Sequence, residues 1–153
     1  MKHISMSVAV LGAIMMVTMG GGPVPAFAAE EELPPVVVHK QSGFAYISGG
    51  VGELGRMAMA KVANKYPMQL IFTAEGEGPD LTGVKVTVRD RMLKKQIEAV
   101  SEGPAFYLTP DSGRWTIDAE YKGEGISRTV DLIGRRYIML EFHFKGLGET
   151  PKQ

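Results

Sequence analysis

Glu141 and His143 are the two residues whose types and spacing come closest to a reactive site. They stand two positions apart in an alternating segment at residues 138–144. Side chains two apart on a strand point to the same side, so the pair would offer a metal an imidazole and a carboxylate. A metal site needs a third ligand, and the sequence indicates none. The alternatives are a cation-dependent or hydrolytic centre at this pair, or a solvated or interfacial strand edge, which we favour.

A second group of carboxylates lies in the segment Glu75-Gly-Glu-Gly-Pro-Asp80. Glu75, Glu77 and Asp80 would supply the oxygen ligands that calcium prefers. Their spacing, however, matches no known calcium-binding loop. The sequence therefore predicts a solvated loop, with a weak cation site as the alternative.

The hydroxyl residues show no arrangement for nucleophilic catalysis. A reactive serine needs a base that a third group holds within hydrogen-bonding reach. None of the serines after residue 41 stands in a strained elbow motif, and His143 is the one candidate base in the predicted domain. We therefore expect a protein that is not an enzyme and has no cofactor.

Tyr107 and Tyr137 are candidate binding residues. They alternate out of phase with the apolar neighbours Phe106 and Ile138, which predicts that both rings lie on outer sheet faces. Exposed rings at the ends of β-sandwiches bind sugars and peptides. Trp115, in contrast, shares its predicted face with Ile117 and Ala119, and is expected in the core.

The N-terminal segment has the pattern of a secretory signal peptide. Met1-Lys2-His3 is followed by an apolar run from residue 4 to 19 and by the small-residue motif Ala26-Phe27-Ala28. The apolar run is shorter than the roughly 20 residues of a membrane-spanning helix. We therefore expect cleavage between Ala28 and Ala29, and a periplasmic or alternatively secreted protein without stable membrane insertion. A retained anchor is the other interpretation.

Composition narrows the class of partner. The chain has 17 basic and 17 acidic residues, and removal of residues 1–28 takes away only Lys2, leaving 16 against 17. This balance does not favour a nucleic-acid partner. The sequence contains no cysteine, which excludes disulfide bonds and lipid attachment through a thiol.

The periodicity of the remaining chain predicts one helix and a series of strands. Apolar residues follow helical spacing from Val51 to Tyr66, and Pro67 ends that pattern. Short alternating segments with Gly, Pro and Asp between them follow as far as residue 144. We expect a mainly β protein, an antiparallel β-sandwich of about seven strands with one amphipathic helix. Residues 29–41 would be an extended leader, residues 42–145 the domain, and residues 146–153 a flexible tail.

The same strands carry a resemblance to a known family. Residues 84–90, 103–106, 111–119 and 121–123 resemble the carboxypeptidase regulatory-like, or transthyretin-like, β-sandwich domain. In that family a loop ending in glycine precedes an aromatic strand, as Gly113 precedes Trp115 here. The segment from Ser42 to Lys145, including Tyr46-Ile-Ser-Gly-Gly50, is also similar to small exported proteobacterial proteins. The resemblance implies a fold and leaves the activity open.

These observations favour a non-catalytic periplasmic module that binds an envelope protein or a surface carbohydrate polymer. One alternative is a cation-dependent or hydrolytic enzyme that uses Glu141 and His143. Another is a helper in envelope assembly that accepts a partner strand at a sheet edge. The sequence leaves the oligomeric state open.

Overall fold

A computed structural model of the protein describes residues 31–92, 94–134 and 137–146. The predicted signal peptide, its cleavage site between Ala28 and Ala29, and residues 147–153 of the predicted tail lie outside these ranges. In the described part of the chain, no helix is both long and apolar enough to cross a membrane.

The described residues form a β-sandwich of two sheets with one helix, which confirms the predicted class. The first sheet has five strands in the order β1-β2-β6-β3-β9, and the second has four in the order β5-β4-β7-β8. The elements are β1 His39–Gln41, β2 Phe44–Gly49, α1 Gly52–Val62, a 3₁₀ turn Ala63–Lys65, β3 Met68–Ala74, β4 Lys85–Asp90, β5 Gln96–Val100, β6 Ala105–Leu108, β7 Gly113–Tyr121, β8 Glu124–Leu132 and β9 Ile138–Phe144.

Two details of the sheets differ from the sequence-based expectation. The described chain forms nine strands rather than about seven. One strand pair, β3 with β9, is parallel, while the other pairs are antiparallel. A parallel pair needs a long connection, and here the whole second sheet lies between β3 and β9 in the chain.

The main core fills the space between the two sheets. Alternate residues of β3, β4 and β9 point into it, among them Phe72, Val86 and Phe142, and all three are almost completely buried. Trp115 is 2% exposed, and its indole N–H donates to the Asp111 carbonyl at 2.8 Å. The predicted core position of this tryptophan is confirmed, and its single polar atom is satisfied.

A second, smaller core lies on the outer face of the five-stranded sheet. The helix ends before Pro67, as predicted, and packs over β2 and β6 with Met59 and Tyr66 buried against Ile47 and Tyr107. The helix therefore covers one part of this outer face, and the part that β9 forms lies beside the covered region.

The predicted boundary between leader and domain falls inside a hairpin. His39–Gln41 pairs with β2, and the two-residue turn Ser42-Gly43 has positive φ angles of 52° and 84°. Such a turn matches the twist of a tight hairpin. The residues that pair at this sheet edge are therefore His39–Gln41 and not the preceding valines at residues 36–38.

Candidate functional site

The backbone N–H and C=O groups of successive β9 residues point alternately toward β3 and off the open edge of the sheet. The Ile138 N–H donates to the Pro67 carbonyl at 2.8 Å, and the Phe144 carbonyl accepts from the Glu75 N–H at 2.9 Å. With the parallel register between these points, the even-numbered residues of β9 direct their backbone groups at β3. Residues 139, 141 and 143 direct theirs off the edge of the sheet, because successive residues of a strand alternate.

This free edge consists of Met139, Glu141 and His143, and we call it the β9 edge. Among the residues that the structure describes, β9 pairs only with β3. The edge ends at Lys145, whose backbone N–H donates to the Glu124 carboxylate at 3.0 Å. A segment laid along the β9 edge would therefore meet three residues with unpaired backbone donors and acceptors.

The predicted pair Glu141 and His143 does lie on one side of this strand, exposed on the outer face of the sheet. The His143 Nδ1 is 3.0 Å from the Thr73 hydroxyl, and its Nε2 is 4.0 Å from the Glu75 carboxylate. Thr73, His143 and Glu75 form a row of hydroxyl, imidazole and carboxylate. All three are exposed on an open face, where water would solvate the charge that a reaction develops.

The structure brings no metal centre together from these residues. Within the described ranges, no three His, Cys, Asp or Glu side chains are grouped closely enough to hold a metal ion. The imidazole and carboxylate pair on β9 therefore lacks the third protein ligand that a site would need.

The three carboxylates of the acidic loop have separate partners. Asp80 accepts from the backbone N–H of Gly52 at 2.8 Å and from Arg56 at 2.9 Å, at the start of the helix. Glu77 pairs with Lys122, whose hydrogen bond lowers the pKa of Glu77 with a smaller contribution from Tyr121. Glu75 lies beside the imidazole of β9. The loop therefore fixes neighbouring elements, and its oxygen atoms do not converge.

The prediction that Tyr107 is exposed is wrong. It does lie on the face opposite Phe106, but the helix covers that face and leaves the tyrosine only 8% exposed. Burial, with a further contribution from Tyr137, raises the pKa of its phenol. Tyr137 is 52% exposed, as predicted, and is the one exposed aromatic ring of Phe, Trp or Tyr type among the described residues.

Gln69 is a structural residue that the sequence reasoning missed. It is 1% exposed on the outer face of β3, and its amide N–H donates to the Ala63 carbonyl at 2.8 Å. Its side-chain oxygen accepts from the Tyr137 hydroxyl. The residue thus ties the end of the helix to the start of β9. The available signal was a glutamine inside the otherwise apolar run Met68–Phe72.

A cavity of about 330 Å³ lies beside Tyr137 at this end of the sandwich. Its walls come from the 3₁₀ turn, from the loops that follow β6 and β8, and from the starts of β3 and β9. The lining includes Asn64, Pro67, Pro110, Ser112, Leu132 and Tyr137. One ring and two proline faces give this cavity a short apolar wall, and none of its lining residues that the structure describes is charged.

The outer face of the second sheet is a ladder of paired charges. Arg89 pairs with Asp118 at 2.5 Å, and Arg114 makes two hydrogen bonds with Asp131 at 2.6 and 2.9 Å. In the hairpin that joins β4 and β5, Lys95 also pairs with Asp111. This face presents no excess charge to a polyanion.

Comparison with known proteins identifies no family. No protein-family model matches the chain, and no curated protein sequence matches it significantly. The resemblance to the carboxypeptidase regulatory-like domain therefore stays a prediction from the sequence.

Proposed function

We propose that the protein is a non-catalytic interaction module that binds an extended segment of a protein along the β9 edge. The observation that carries this proposal is the direction of the backbone at Met139, Glu141 and His143, which leaves their donors and acceptors facing outward. An added strand satisfies such groups in the way that one strand of a sheet satisfies the next. With the predicted export, the bound segment would belong to an envelope or secreted protein.

The other edges of the sandwich carry features that oppose strand addition. β1 is only three residues long, and β5 follows the charged pair Lys94-Lys95. On β8, the exposed Arg128 shares the inner face with Ile117, its register partner. Short strands, lysines and inward charges are the usual protections of an edge. The sequence of β9, IMLEFHF, contains neither proline nor lysine.

Exposed apolar side chains beside the β9 edge favour a protein segment as the ligand. Met139 is 51% exposed and Tyr137 is 52% exposed, and they follow one another on the outer side of the strand. Among the described residues, Tyr137 is the one exposed ring of Phe, Trp or Tyr type, which leaves little aromatic surface for stacking against sugar rings. The polymer alternative therefore has less support than an extended polypeptide.

A hydrolytic function is a second candidate because Thr73, His143 and Glu75 form a row in the order nucleophile, base and acid. A panel of chromogenic esters and peptides, with wild type and His143→Ala compared, tests it. Turnover by the wild type that the variant loses would support this candidate. Absence of wild-type turnover, or turnover that survives in the variant, would refute it.

Site-directed photo-cross-linking in the exporting cell tests the proposed function. A benzoyl-phenylalanine that replaces Met139 should cross-link a defined segment of a protein, which mass spectrometry would map. The same probe in place of Lys85, on the outer face of the other sheet, is the control. Glu141→Pro removes one outward N–H and should abolish the cross-link, while Glu141→Ala keeps this N–H and should retain more of the cross-link than the proline variant. No cross-link from position 139 above the control, or one indifferent to the proline, would overturn the proposal.

A further inference from the structure

The β9 edge is complementary to itself. We infer that the segment bound there is β9 of a second copy of this chain, paired antiparallel about a twofold axis. This inference rests on the proposed use of the β9 edge for strand addition. It names the partner and predicts a dimer in which two five-stranded sheets join edge to edge.

The complementarity of a carboxylate and an imidazole favours one register. Glu141 and His143 lie two positions apart on one face. In an antiparallel pair whose axis passes at Phe142, Glu141 therefore stands opposite His143 of the partner subunit, and the reverse pair forms on the other side of the axis. A twofold interface repeats every contact, so one acid and one base provide two favourable cross-strand pairs.

The direction of the backbone permits this register. Glu141 and His143 both direct their N–H and C=O groups off the sheet, so each pair across the axis can exchange both of its hydrogen bonds. A register shifted by one residue would set outward groups against residues that already bond to β3. An axis at Glu141 satisfies the backbone equally, but it sets two carboxylates against each other, which is destabilising.

The apolar residues of the strand fit the same arrangement. Leu140 is only partly buried at the rim of the core, and the register brings it opposite Phe144 of the partner subunit. On the outer face, Met139 meets the stem of Lys145 of the partner subunit. The backbone N–H of Lys145 already bonds to Glu124, which ends the shared ladder. An interface of this length is small, so we expect a dimer that dissociates on dilution.

A charge-exchange experiment tests the inference. Glu141→Lys sets lysine against histidine across the axis, and His143→Glu sets two carboxylates against each other. Each variant alone should dimerise at least about tenfold more weakly than wild type, because the change counts twice. Mixed in equal amounts, the two variants should form a heterodimer, since the introduced lysine then faces the introduced glutamate and the other cross-strand pair keeps the native Glu141 and His143. Sedimentation velocity over a concentration series, with one variant fluorescently labelled, measures each species.

His143→Lys is the matched control and should retain the dimer, because the introduced lysine sets a cation opposite Glu141 of the partner subunit. The inference is overturned if wild type stays monomeric at all concentrations, or if the mixture forms no heterodimer. It is also overturned if Glu141→Lys pairs with wild type more strongly than wild type with itself, which would place the axis at Glu141. Cross-links from position 139 to a different protein would then still support the proposed function, whereas no cross-link from this position to any protein, a second copy of this chain included, would refute both proposals.

Discussion

Proline substitutions at two adjacent positions of β9 should have very different effects on stability. The Glu141 N–H points off the sheet, so Glu141→Pro breaks no ladder bond, and its neighbour Leu140 is already extended, as a residue before proline requires. We expect this variant to lower the free energy of unfolding by about 1 kcal/mol or less. Leu140→Pro removes the N–H that faces the Gln69 carbonyl across the parallel ladder, along with part of a half-buried side chain. We expect Leu140→Pro to lower the free energy of unfolding by about 3 kcal/mol or more.

Urea unfolding followed by tryptophan fluorescence measures this difference. Trp115 is the only tryptophan of the chain and is 2% exposed, so its emission reports loss of the core. Glu141→Ala and Leu140→Ala serve as controls for the lost side chains, and the lowest usable protein concentration keeps self-association out of the result. Equal destabilisation by the two prolines would refute the assigned direction of the backbone, and with it the basis of the β9 edge.

Two further predictions concern the scaffold. A Cβ at Gly103 would lie 2.2 Å from the Gly49 carbonyl oxygen, so Gly103→Ala should cost about 1–3 kcal/mol in thermal unfolding. Gly125→Ala, with open space around its Cβ position, should change stability by less than about 0.5 kcal/mol, and similar losses would contradict the close contact. Lys122 lowers the pKa of Glu77, so this pair stabilises the fold at pH values above the pKa of the unfolded carboxyl group. That stabilisation is lost as the pH falls through the lower pKa of the folded state. Glu77→Gln should therefore lower the melting temperature at pH 7, and this difference should shrink as the pH falls through the folded pKa of Glu77. A pH-independent difference would contradict the linkage.

Local patterns were sufficient for the elements of the sandwich. Short alternating segments predicted strands such as the one that the structure places at Lys85–Asp90, and helical spacing with Pro67 predicted the helix and its end. The face of Trp115 and the shared face of Glu141 and His143 were also predicted correctly. These features depend on the geometry of one segment at a time, because side chains alternate in a strand and recur every 3.6 residues in a helix.

The alternation of residues along a strand was not sufficient to predict which side chains are exposed. It placed Tyr107 correctly on the face opposite Phe106, but it could not show that the helix packs over that face. Tyr137 and Met139 lie on the outer face of the same sheet and stay exposed because the covered part ends beside β9. Whether a face meets water depends on another segment of the chain, which no local pattern contains.

The sequence by itself determined which segments form strands, which segment forms the helix, and that Glu141 and His143 lie on the same side of their strand. Only the tertiary structure decided that β9 pairs in parallel with β3 at the end of a sheet. That placement turns alternate backbone groups outward and sets His143 beside Thr73 and Glu75. The physical reason is that side-chain direction follows from the residues of a single strand, whereas strand order depends on which distant segments bury their apolar faces together.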